Sequence, residues 1–278
     1  MTEKLAPDML TLATSLAKEA ARISLAGFGR ASTRRKPDTT VVTETDHAIQ
    51  ARILDAVSQA YPDHAVLAEE TVRYPRAHAD VTKARYCWVV DPLDGTRNYA
   101  AGIPCFSTSI AVLDRGRPVV GVIYEHHVEH LYTAVHGEGA ALNGRAICIG
   151  EPNPDVDMLV AVPTSKDQLS VAVVCHWAAT PEFVCRSLGS TALHLALVAS
   201  GALSAAFCKR SKIWDLAAGA LIVVEAGGRI TDQFGRDRLP FDLAADPEED
   251  LPFLAAAPYA HKELLDSIRT AAEAADRA

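Results

Sequence analysis

Apolar residues recur at two different spacings along the chain and divide it into helices and strands. From Asp8 to about Phe28 they lie three or four residues apart, which predicts an amphipathic helix. A second helix is expected to begin near Thr45 or Asp46 and to end before Tyr61-Pro62. Asp46 is therefore predicted to lie in the first turn of a helix.

Beyond this helix the apolar runs are short and have the length of strands. They lie at Ala65 to Leu67, Tyr86 to Val90, Ser107 to Leu113, Val119 to Tyr124 and His130 to Val135. Turn residues between several of the runs, such as Asp114-Arg115-Gly116 and Asn143-Gly144, favour antiparallel hairpins.

The second half of the chain alternates between the two patterns. Strands are predicted at Leu159 to Val162, near Val171 to Cys175, at Ala202 to Phe207 and near Gly228 to Thr231. Helices are predicted at Ser190 to about Ser200, Asp215 to about Glu225 and His261 to Ala278. Mixed sheets layered with helices, in an α+β or mixed α/β fold, are the architecture that this pattern favours.

Composition narrows the class of protein. The 278 residues include 27 Lys and Arg against 35 Asp and Glu, a net charge of −8, which disfavours nucleic acid as a partner. The most apolar stretches fall short of the roughly 18 to 20 residues of a membrane span. The first residues lack the basic and apolar regions of a secretory signal. We therefore expect a cytoplasmic protein without a membrane partner.

The strongest chemical signal follows the apolar run that ends at Val90. Asp91 and Asp94 lie three residues apart, with Pro92 and Gly95 shaping the turn around them. Both carboxylates and the Leu93 carbonyl are oxygen ligands of the kind that Mg²⁺ prefers. Taken alone, the two aspartates are more typical of residues that cap a turn.

Two further acidic positions also follow apolar runs. Glu69-Glu70 comes directly after one of them and Asp215 begins a helix rich in small residues. Glu69-Glu70 would otherwise be interpreted as a solvated acidic pair, and Asp215 as a helix N-cap. Three acidic elements in comparable positions favour a shared site.

The motifs resemble those of the inositol monophosphatase family of Mg²⁺-dependent, lithium-sensitive phosphatases. The segments that carry the resemblance are VTETD at Val42 to Asp46, AEE at Ala68 to Glu70, DPLDGTRNY at Asp91 to Tyr99, GEGAALNG at Gly137 to Gly144 and WDLAAGALIVVEAGG at Trp214 to Gly228. The resemblance implies a layered αβαβα sandwich of the inositol monophosphatase and fructose-1,6-bisphosphatase type. It implies one phosphatase unit over residues 1–278, which could consist of two packed halves. The first, at about 1–150, would be an α+β half that binds metal, and the second, at about 151–278, an α/β half with the WD motif and the substrate loop.

The resemblance also implies a set of metal ligands. Glu69, Asp91 and the carbonyl of Leu93 would hold one Mg²⁺, and Asp91, Asp94 and Asp215 a second. A third, weaker ion near Glu69 is a further family feature. Glu70 is then a secondary candidate.

Catalysis in such a site needs a positioned water and no covalent phosphoenzyme. By the resemblance, Thr96 linked to Asp46 would orient the water, with Glu69 beside it. From residue type alone, Thr96 is just as readily an ordinary turn hydroxyl. The backbone N–H groups of Gly95 and Thr96 are expected at a helix start, where they could face the phosphate.

The implied substrate contacts include one departure from the family. Asp94, Gly95, Thr96 and the segment Gly189-Ser190-Thr191 match the family pattern. Cys208 stands where the family has an acidic residue seven positions before the WD aspartate. This thiol weakens the assignment to inositol phosphate itself, because it is a poor hydrogen-bond partner for ring hydroxyls.

The charged residues around these positions have alternative interpretations. Lys209, Arg210 and Lys212 are either a solvated loop or a pocket wall that suits a second anionic group on the substrate. Arg97 and Arg186 are either anion contacts or partners in ion pairs. The histidine-rich segment 125–130 matches no zinc spacing and is predicted to be a polar loop.

The expected function is hydrolysis of a small polyol phosphate similar to inositol 1-phosphate. Fructose 1,6-bisphosphate, histidinol phosphate and 3′-phosphoadenosine 5′-phosphate are alternative substrates within the family. A non-catalytic binding protein on the same fold is the alternative from another class. The resemblance further implies a homodimer and inhibition by lithium.

Overall fold

The computed structural model describes residues 5–30, 33–35, 41–70, 80–151 and 157–277. Within these ranges the helices are α1 (Leu5–Gly27), α2 (Glu44–Ala60), α3 (Thr96–Ala101), α4 (Gln168–Ala179), α5 (Thr191–Ala199), α6 (Ile213–Glu225) and α7 (Pro258–Asp276). The strands are β1 (Thr33–Arg35), β2 (Val41–Thr43), β3 (Ala65–Ala68), β4 (Tyr86–Asp94), β5 (Ser107–Asp114), β6 (Arg117–Glu125), β7 (His130–Val135), β8 (Gly139–Leu142), β9 (Arg145–Ile147), β10 (Met158–Ala161), β11 (Phe183–Arg186), β12 (Ala205–Cys208), β13 (Arg229–Thr231) and β14 (Phe253–Ala256).

Most of the strands belong to two mixed sheets. The larger sheet has the order β3-β4-β5-β6-β7-β8-β9, with β3 and β4 parallel and the later neighbours antiparallel, as the turn residues predicted. The smaller sheet has the order β11-β10-β12-β14-β13. Its strands β11, β10 and β12 are parallel, whereas β14 is antiparallel to both of its neighbours. β1 and β2 form a separate antiparallel pair.

Side chains on opposite faces of each sheet pack against different helix layers. In β4, Cys87 and Val89 pack with α5 and α6, whereas Trp88 and Val90 pack with α1 and α2. α5 and α6 also cover one face of the smaller sheet, and α4 and α7 cover its other face. The layers therefore follow the order α1/α2, larger sheet, α5/α6, smaller sheet, α4/α7. This confirms the predicted αβαβα sandwich.

Small residues let α6 fit between its neighbours. A Cβ atom added to Gly219 would lie 2.5 Å from Cδ1 of Leu195 in α5. A Cβ atom added to Gly121 in β6 would lie 2.8 Å from the carbonyl oxygen of Ala218. The small-residue sequence after Asp215 thus brings this helix, and the acidic residue in its first turn, close to the larger sheet.

One predicted strand is wrong, because Val171 to Cys175 lies within α4. Asp167 caps this helix, with Oδ1 accepting from the backbone N–H of Ser170 at 2.9 Å. Val173 and Trp177, four residues apart, are buried, while Val171 is exposed. The run of valines was interpreted at a spacing of two, whereas the burial follows the helical spacing.

Most other elements agree with the prediction to within a few residues. Six short strands were not predicted, namely β1, β2, β8, β9, β11 and β14, although the Asn143-Gly144 turn favoured a hairpin where β8 and β9 lie. β11 and β14 are each four residues long, and neither alternates enough to be distinguished from a loop. No helix in the described ranges combines the length and the apolar character needed to cross a membrane. The division into halves near residue 150 stays a prediction.

Candidate active site

The predicted acidic residues come together because two parallel strands end at the same edge of the larger sheet. β3 leads directly into Glu69, and the end of β4 carries Asp91 and Asp94. The backbone N–H of Glu69 donates to the carbonyl oxygen of Val90 at 3.2 Å, so the strand ladder continues to this point. The interpretation of Glu69-Glu70 as a solvated pair is wrong, because Glu70 is buried and its N–H donates to Gln50 Oε1.

A local irregularity at the end of β4 orients the aspartates. In the pairing with β5, Asp91 lies opposite Ser109 and Asp94 opposite Ser107, so β4 has one extra residue between these positions. The Asp91 Oδ1 atom accepts a hydrogen bond from the N–H of Leu93 at 3.0 Å. Both ends of this short segment are therefore held in a fixed geometry.

Thr96 and Asp46 meet across this turn, as the resemblance implied. Thr96 Oγ1 lies 3.1 Å from Asp46 Oδ1 and 2.9 Å from the carbonyl oxygen of Leu93. Asp46 is fully buried in the first turn of α2, where Oδ2 accepts from the N–H of Thr43 at 2.8 Å and from its hydroxyl at 2.5 Å. Thr96 begins α3, so its hydroxyl is held in place by backbone structure.

Asp215 enters the site from the first turn of α6. The helix begins at Ile213, so Asp215 is its third residue and not the N-cap. Asp215 Oδ2 accepts from the backbone N–H of Lys212 at 2.9 Å, as Asp46 does from Thr43. In both helices an aspartate in the first turn bonds back to the residue before the helix and keeps its second oxygen for another partner.

These carboxylates share a region where their negative charge is unfavourable. Burial, with repulsion from Glu69, Asp94 and Asp215, raises the pKa of Asp91 well above its usual value. Burial and repulsion from Asp94 and Glu69 likewise raise the pKa of Asp215. Burial raises the pKa of Asp94 to about 6, although the hydrogen bond from Ser190 opposes this change. A bound cation would offset this repulsion.

The chemistry of the donor set fits a hard divalent cation. Glu69, Asp91, Asp94, Asp215 and the Leu93 carbonyl supply oxygen atoms, which Mg²⁺ prefers over nitrogen or sulfur. Among the described residues, no three His, Cys, Asp or Glu side chains already have the arrangement of a metal cluster. The fit therefore rests on the donor types and on the electrostatics of the buried carboxylates.

Asp94 also connects the acidic residues to the segment Gly189-Ser190-Thr191, which is predicted to contact the substrate. Its Oδ2 atom accepts from Ser190 Oγ at 2.5 Å and from the N–H of Ala192 at 2.7 Å, at the start of α5. Gly189 has a φ of +74°, and a Cβ there would lie 2.9 Å from the Asn98 amide. This position therefore requires glycine.

Asn98 and His194 help to fix the segment Gly189-Ser190-Thr191, although neither residue was predicted to do so. Asn98 Nδ2 donates to the carbonyl oxygens of Cys105 and Leu188, each at 2.7 Å. His194 Nε2 accepts from the N–H of Leu188 at 2.9 Å, and burial lowers the pKa of His194 to about 4. The place of Asn98 within the motif at residues 91–99 was the one available signal.

A second buried group supports the aspartate turn from behind. Thr108 Oγ1 donates to the carbonyl oxygen of Pro92 at 2.8 Å and lies 2.9 Å from His126 Nε2. The other ring nitrogen, Nδ1, lies 2.6 Å from Ser24 Oγ in α1. His126 lies in the predicted loop between β6 and β7, but it is buried and not solvated. The interpretation of this segment as a polar loop is wrong for this residue.

A cavity of about 660 Å³ opens beside the acidic residues. Several predicted residues line it, namely Glu69, Asp215, Gly189, Ser190, Thr191 and Cys208. Asp46, Asp91, Leu93, Asp94, Gly95 and Thr96 are not among the described lining residues and connect to it through the contacts above. Burial raises the pKa of Cys208 to about 12, so its thiol is neutral.

The structure distinguishes between the alternatives left open for the basic residues. Arg210 and Lys212 line the cavity, whereas Lys209 is not among the described lining residues. The pocket-wall alternative therefore holds for two of the three, and of these the Arg210 side chain is also 59% exposed. Arg97 also lines the cavity, while Arg186 donates to the carbonyl oxygen of Cys185 in its own strand.

Comparisons with known proteins agree with the fold and the motifs. The sequence model of the inositol monophosphatase family matches residues 6–273. Inositol monophosphatase 2 of Solanum lycopersicum is 37% identical over 245 residues, covering 86% of this chain and 91% of the relative. The Nus factor SuhB of Haemophilus influenzae is 35% identical over 268 residues, covering 94% and 96% respectively.

Solved structures give the same result at the level of the fold. The Thermotoga maritima inositol monophosphatase aligns with a TM-score of 0.84 at 26% identity, covering 96% of this chain and 99% of that one. The extragenic suppressor protein suhB of Bartonella henselae aligns with a TM-score of 0.83 at 27% identity, covering 94% and 98%. Sequence and structure together show that the chain belongs to the inositol monophosphatase family.

Proposed function

We propose that the chain is a Mg²⁺-dependent phosphomonoesterase that hydrolyses a small polyol or sugar phosphate. The observation that carries the proposal is the convergence of the buried Asp91 with the half-buried carboxylates of Glu69, Asp94 and Asp215, beside the contact between Thr96 and Asp46. A site of this kind can neutralise a phosphate and position a water molecule. Family members are generally Mg²⁺-dependent phosphatases, which supports this coarse assignment.

Each acidic residue has a proposed place around the ions. Glu69, Asp91 and the Leu93 carbonyl would hold one Mg²⁺, and Asp91, Asp94 and Asp215 a second, with a third near Glu69. Bound Mg²⁺ neutralises phosphoryl charge and lowers the pKa of water. The high cost of several buried carboxylates is then offset by the ions that they hold.

Thr96 has the role of a water-positioning residue. Its single hydroxyl proton is donated either to Asp46 or to the Leu93 carbonyl, so its oxygen lone pairs can accept a hydrogen bond from water. The water oxygen attacks phosphorus and the ester P–O bond breaks. One proton of the water stays with the phosphate and the other passes to the leaving oxygen, which departs as the alcohol. The products are the free alcohol and inorganic phosphate.

The remaining contacts would orient the substrate. Asp94 and Ser190 would bond substrate hydroxyl groups, and Gly95, Thr96, Gly189 and Thr191 would supply backbone contacts. Cys208 lies on the same cavity and supplies neither a charge nor a strong acceptor. Inositol 1-phosphate is therefore one candidate among several, with fructose 1,6-bisphosphate, histidinol phosphate and 3′-phosphoadenosine 5′-phosphate as the others.

The test is phosphate release from these four esters, with Mg²⁺ and with EDTA. Asp91→Asn serves as the inactive variant. Asp114→Asn serves as the matched control. Asp114 ends the neighbouring strand β5, away from the Ser109 that pairs with Asp91, and forms an ion pair with Arg85 at 3.0 Å. Release that needs both Mg²⁺ and Asp91 supports the proposal. Absence of release from every ester, in protein shown to be folded, contradicts it.

A binding role is the second candidate, because relatives named Nus factor SuhB match 94% of the chain. The neutral Cys208 in the cavity is compatible with a protein that keeps the fold for another purpose. Rescue of a gene-deletion phenotype by Asp91→Asn as completely as by wild type would favour this role. The homodimer, lithium inhibition, the cytoplasmic location and the lack of a nucleic-acid partner stay predictions.

A further inference from the structure

The cavity has a basic wall that the proposed chemistry does not use. The four lysine and arginine side chains among its described lining residues are Arg97, Lys166, Arg210 and Lys212. The four acidic ones are Glu69, Asp215, Glu248 and Asp250. Glu69 and Asp215 are assigned to the proposed metal ligands, which leaves four cationic and two acidic side chains around the rest of the cavity. The rest of the cavity thus carries an excess of two positive charges.

The topology brings Lys166 and Arg210 to the cavity from the smaller sheet, and Glu69 from the larger one. β10 and β12 are parallel neighbours, with Val160 opposite Ala205, so both strands end at the same edge of the smaller sheet. Lys166 lies in the segment after β10, and Arg210 in the segment after β12. The acidic residues Glu69 and Asp91 instead come from the strand ends of the larger sheet. Glu69, Lys166 and Arg210 line the same cavity.

The ion pairs in the wall leave part of its charge available. Asp250 is shared by two cations, since Oδ2 lies 3.1 Å from Arg210 Nε and Oδ1 lies 2.9 Å from Lys212 Nζ. Lys212 also donates to the backbone carbonyl of Glu248. The remaining guanidinium N–H groups of Arg210 can donate to a ligand. Lys166 is exposed and makes no ion pair within the described part of the chain.

The residue next to this wall does not oppose an anion. Cys208 lines the cavity at the end of β12, two residues before Arg210, and its buried thiol is neutral at physiological pH. A carboxylate in the same place would repel a negatively charged group. The cavity volume of about 660 Å³ is within the range of roughly 300–1,000 Å³ typical of small-molecule sites.

We propose that the cavity prefers substrates with a second anionic group, a phosphate or a carboxylate, held by Lys166 and Arg210 while the scissile phosphate lies at the carboxylate end. Charge-assisted hydrogen bonds from two cations would position the far end of such a molecule. This inference rests on the proposed phosphatase activity and specifies its substrate class.

A matched series of esters tests the preference. Glucose 1-phosphate, glucuronic acid 1-phosphate and glucose 1,6-bisphosphate share one ring and differ in the group at carbon 6, which is a hydroxyl, a carboxylate or a phosphate. We expect kcat/KM for initial phosphate release to be at least about tenfold higher for one or both of the doubly anionic esters. Equal values for all three would overturn the proposal, while the two anionic arms distinguish phosphate from carboxylate.

The double variant Lys166→Met/Arg210→Met tests whether these two residues of the basic wall cause the preference for doubly anionic esters. It should reduce the ratio of doubly to singly anionic kcat/KM at least about fivefold, and Lys209→Met is the adjacent control that should retain the wild-type ratio. A retained ratio in the double variant would overturn the assignment to these residues.

A binding measurement keeps the two proposals distinguishable. If no ester releases phosphate, the proposed function fails, and titration calorimetry with glucose 1,6-bisphosphate still tests the wall. Binding that weakens at least about fivefold in the double variant, but not in Lys209→Met, supports the wall. Equal or absent binding in all three proteins would overturn it.

Discussion

The two ends of the cavity are built in different ways. The acidic end is supported from behind by buried groups on regular elements, since Asp46 and Asp91 are 0% and 2% exposed and accept hydrogen bonds from backbone N–H groups. The basic end consists of side chains in the segments after β10 and β12, and the Arg210 side chain is 59% exposed. Catalytic chemistry needs a fixed, desolvated arrangement, whereas exposed loop residues can change with little effect on stability.

This difference predicts where substitutions have large effects. Substitutions at the acidic end should strongly reduce turnover and should change how much Mg²⁺ stabilises the folded protein. Substitutions at the basic end should change the preference among substrates and should have small effects on stability.

The largest effect is expected from Asp91→Asn. Asp91 is proposed to contact both ions, so its replacement should lower kcat/KM at least about a thousandfold, or about 4 kcal/mol of transition-state stabilisation. The measurement is Mg²⁺-dependent phosphate release, with Asp114→Asn, at the end of the neighbouring strand β5, as the control. A loss smaller than about tenfold would show that the acidic end is not the catalytic centre.

Metal removal gives the same variant a second readout. In EDTA, Asp91→Asn should unfold at a higher temperature than wild type, because it removes one of several mutually repelling buried carboxylates. Added Mg²⁺ should raise the melting temperature of wild type more than that of the variant. Equal shifts in the two proteins would contradict the proposed ligand set.

Thr96→Val should produce the next largest effect. Loss of the hydroxyl that contacts Asp46 and the Leu93 carbonyl should lower kcat about a hundredfold, or about 2.7 kcal/mol. The Mg²⁺-dependent rise in melting temperature should persist, and Thr96→Ser should recover most of the activity. Loss of the Mg²⁺ effect in Thr96→Val would indicate that Thr96 maintains the turn and does not position water.

His126 tests the buried support behind the acidic end through pH. Burial lowers the pKa of His126 to about 3, so below pH 6.5 the unfolded chain binds a proton that the folded chain does not. The free energy of unfolding should therefore fall as the pH decreases through this window. Between pH 7 and pH 5 the contribution of this group is about 2 kcal/mol.

The check compares urea unfolding of wild type and His126→Gln in EDTA at pH 7 and pH 5. The variant should lose about 2 kcal/mol less on acidification than wild type does, because contributions from the other groups cancel in the difference. His127→Gln, an exposed neighbour, is the matched control. Parallel losses in wild type and His126→Gln would show that His126 accepts its proton in the folded state.

The same contrast explains what could be predicted from sequence. The layers, strands β3 to β7 of the larger sheet and the grouping of Glu69, Asp91 and Asp215 were predicted, because they depend on local spacing and on motifs. The buried state of His126 was missed, because it depends on Ser24 and Thr108, which are 102 and 18 residues away in the chain. Likewise, the parallel pairing of β10 with β12 places the segments that carry Lys166 and Arg210 at the same edge of the smaller sheet.

The smallest effect is expected from Asp250→Asn at the basic end. Although burial raises the pKa of Asp250, contacts with Lys212 and Arg210 outweigh this and leave it below the usual value, so the carboxylate is charged at neutral pH. The Asp250 side chain is 34% exposed, and exposed ion pairs contribute less than about 1 kcal/mol to stability. Urea unfolding should show a loss within that limit, and Arg210→Met combined with Asp250→Asn should show a coupling energy of similar size. A loss above about 2 kcal/mol would mean that the basic wall is a buried structural ion pair, and the contrast between the two ends of the cavity would then disappear.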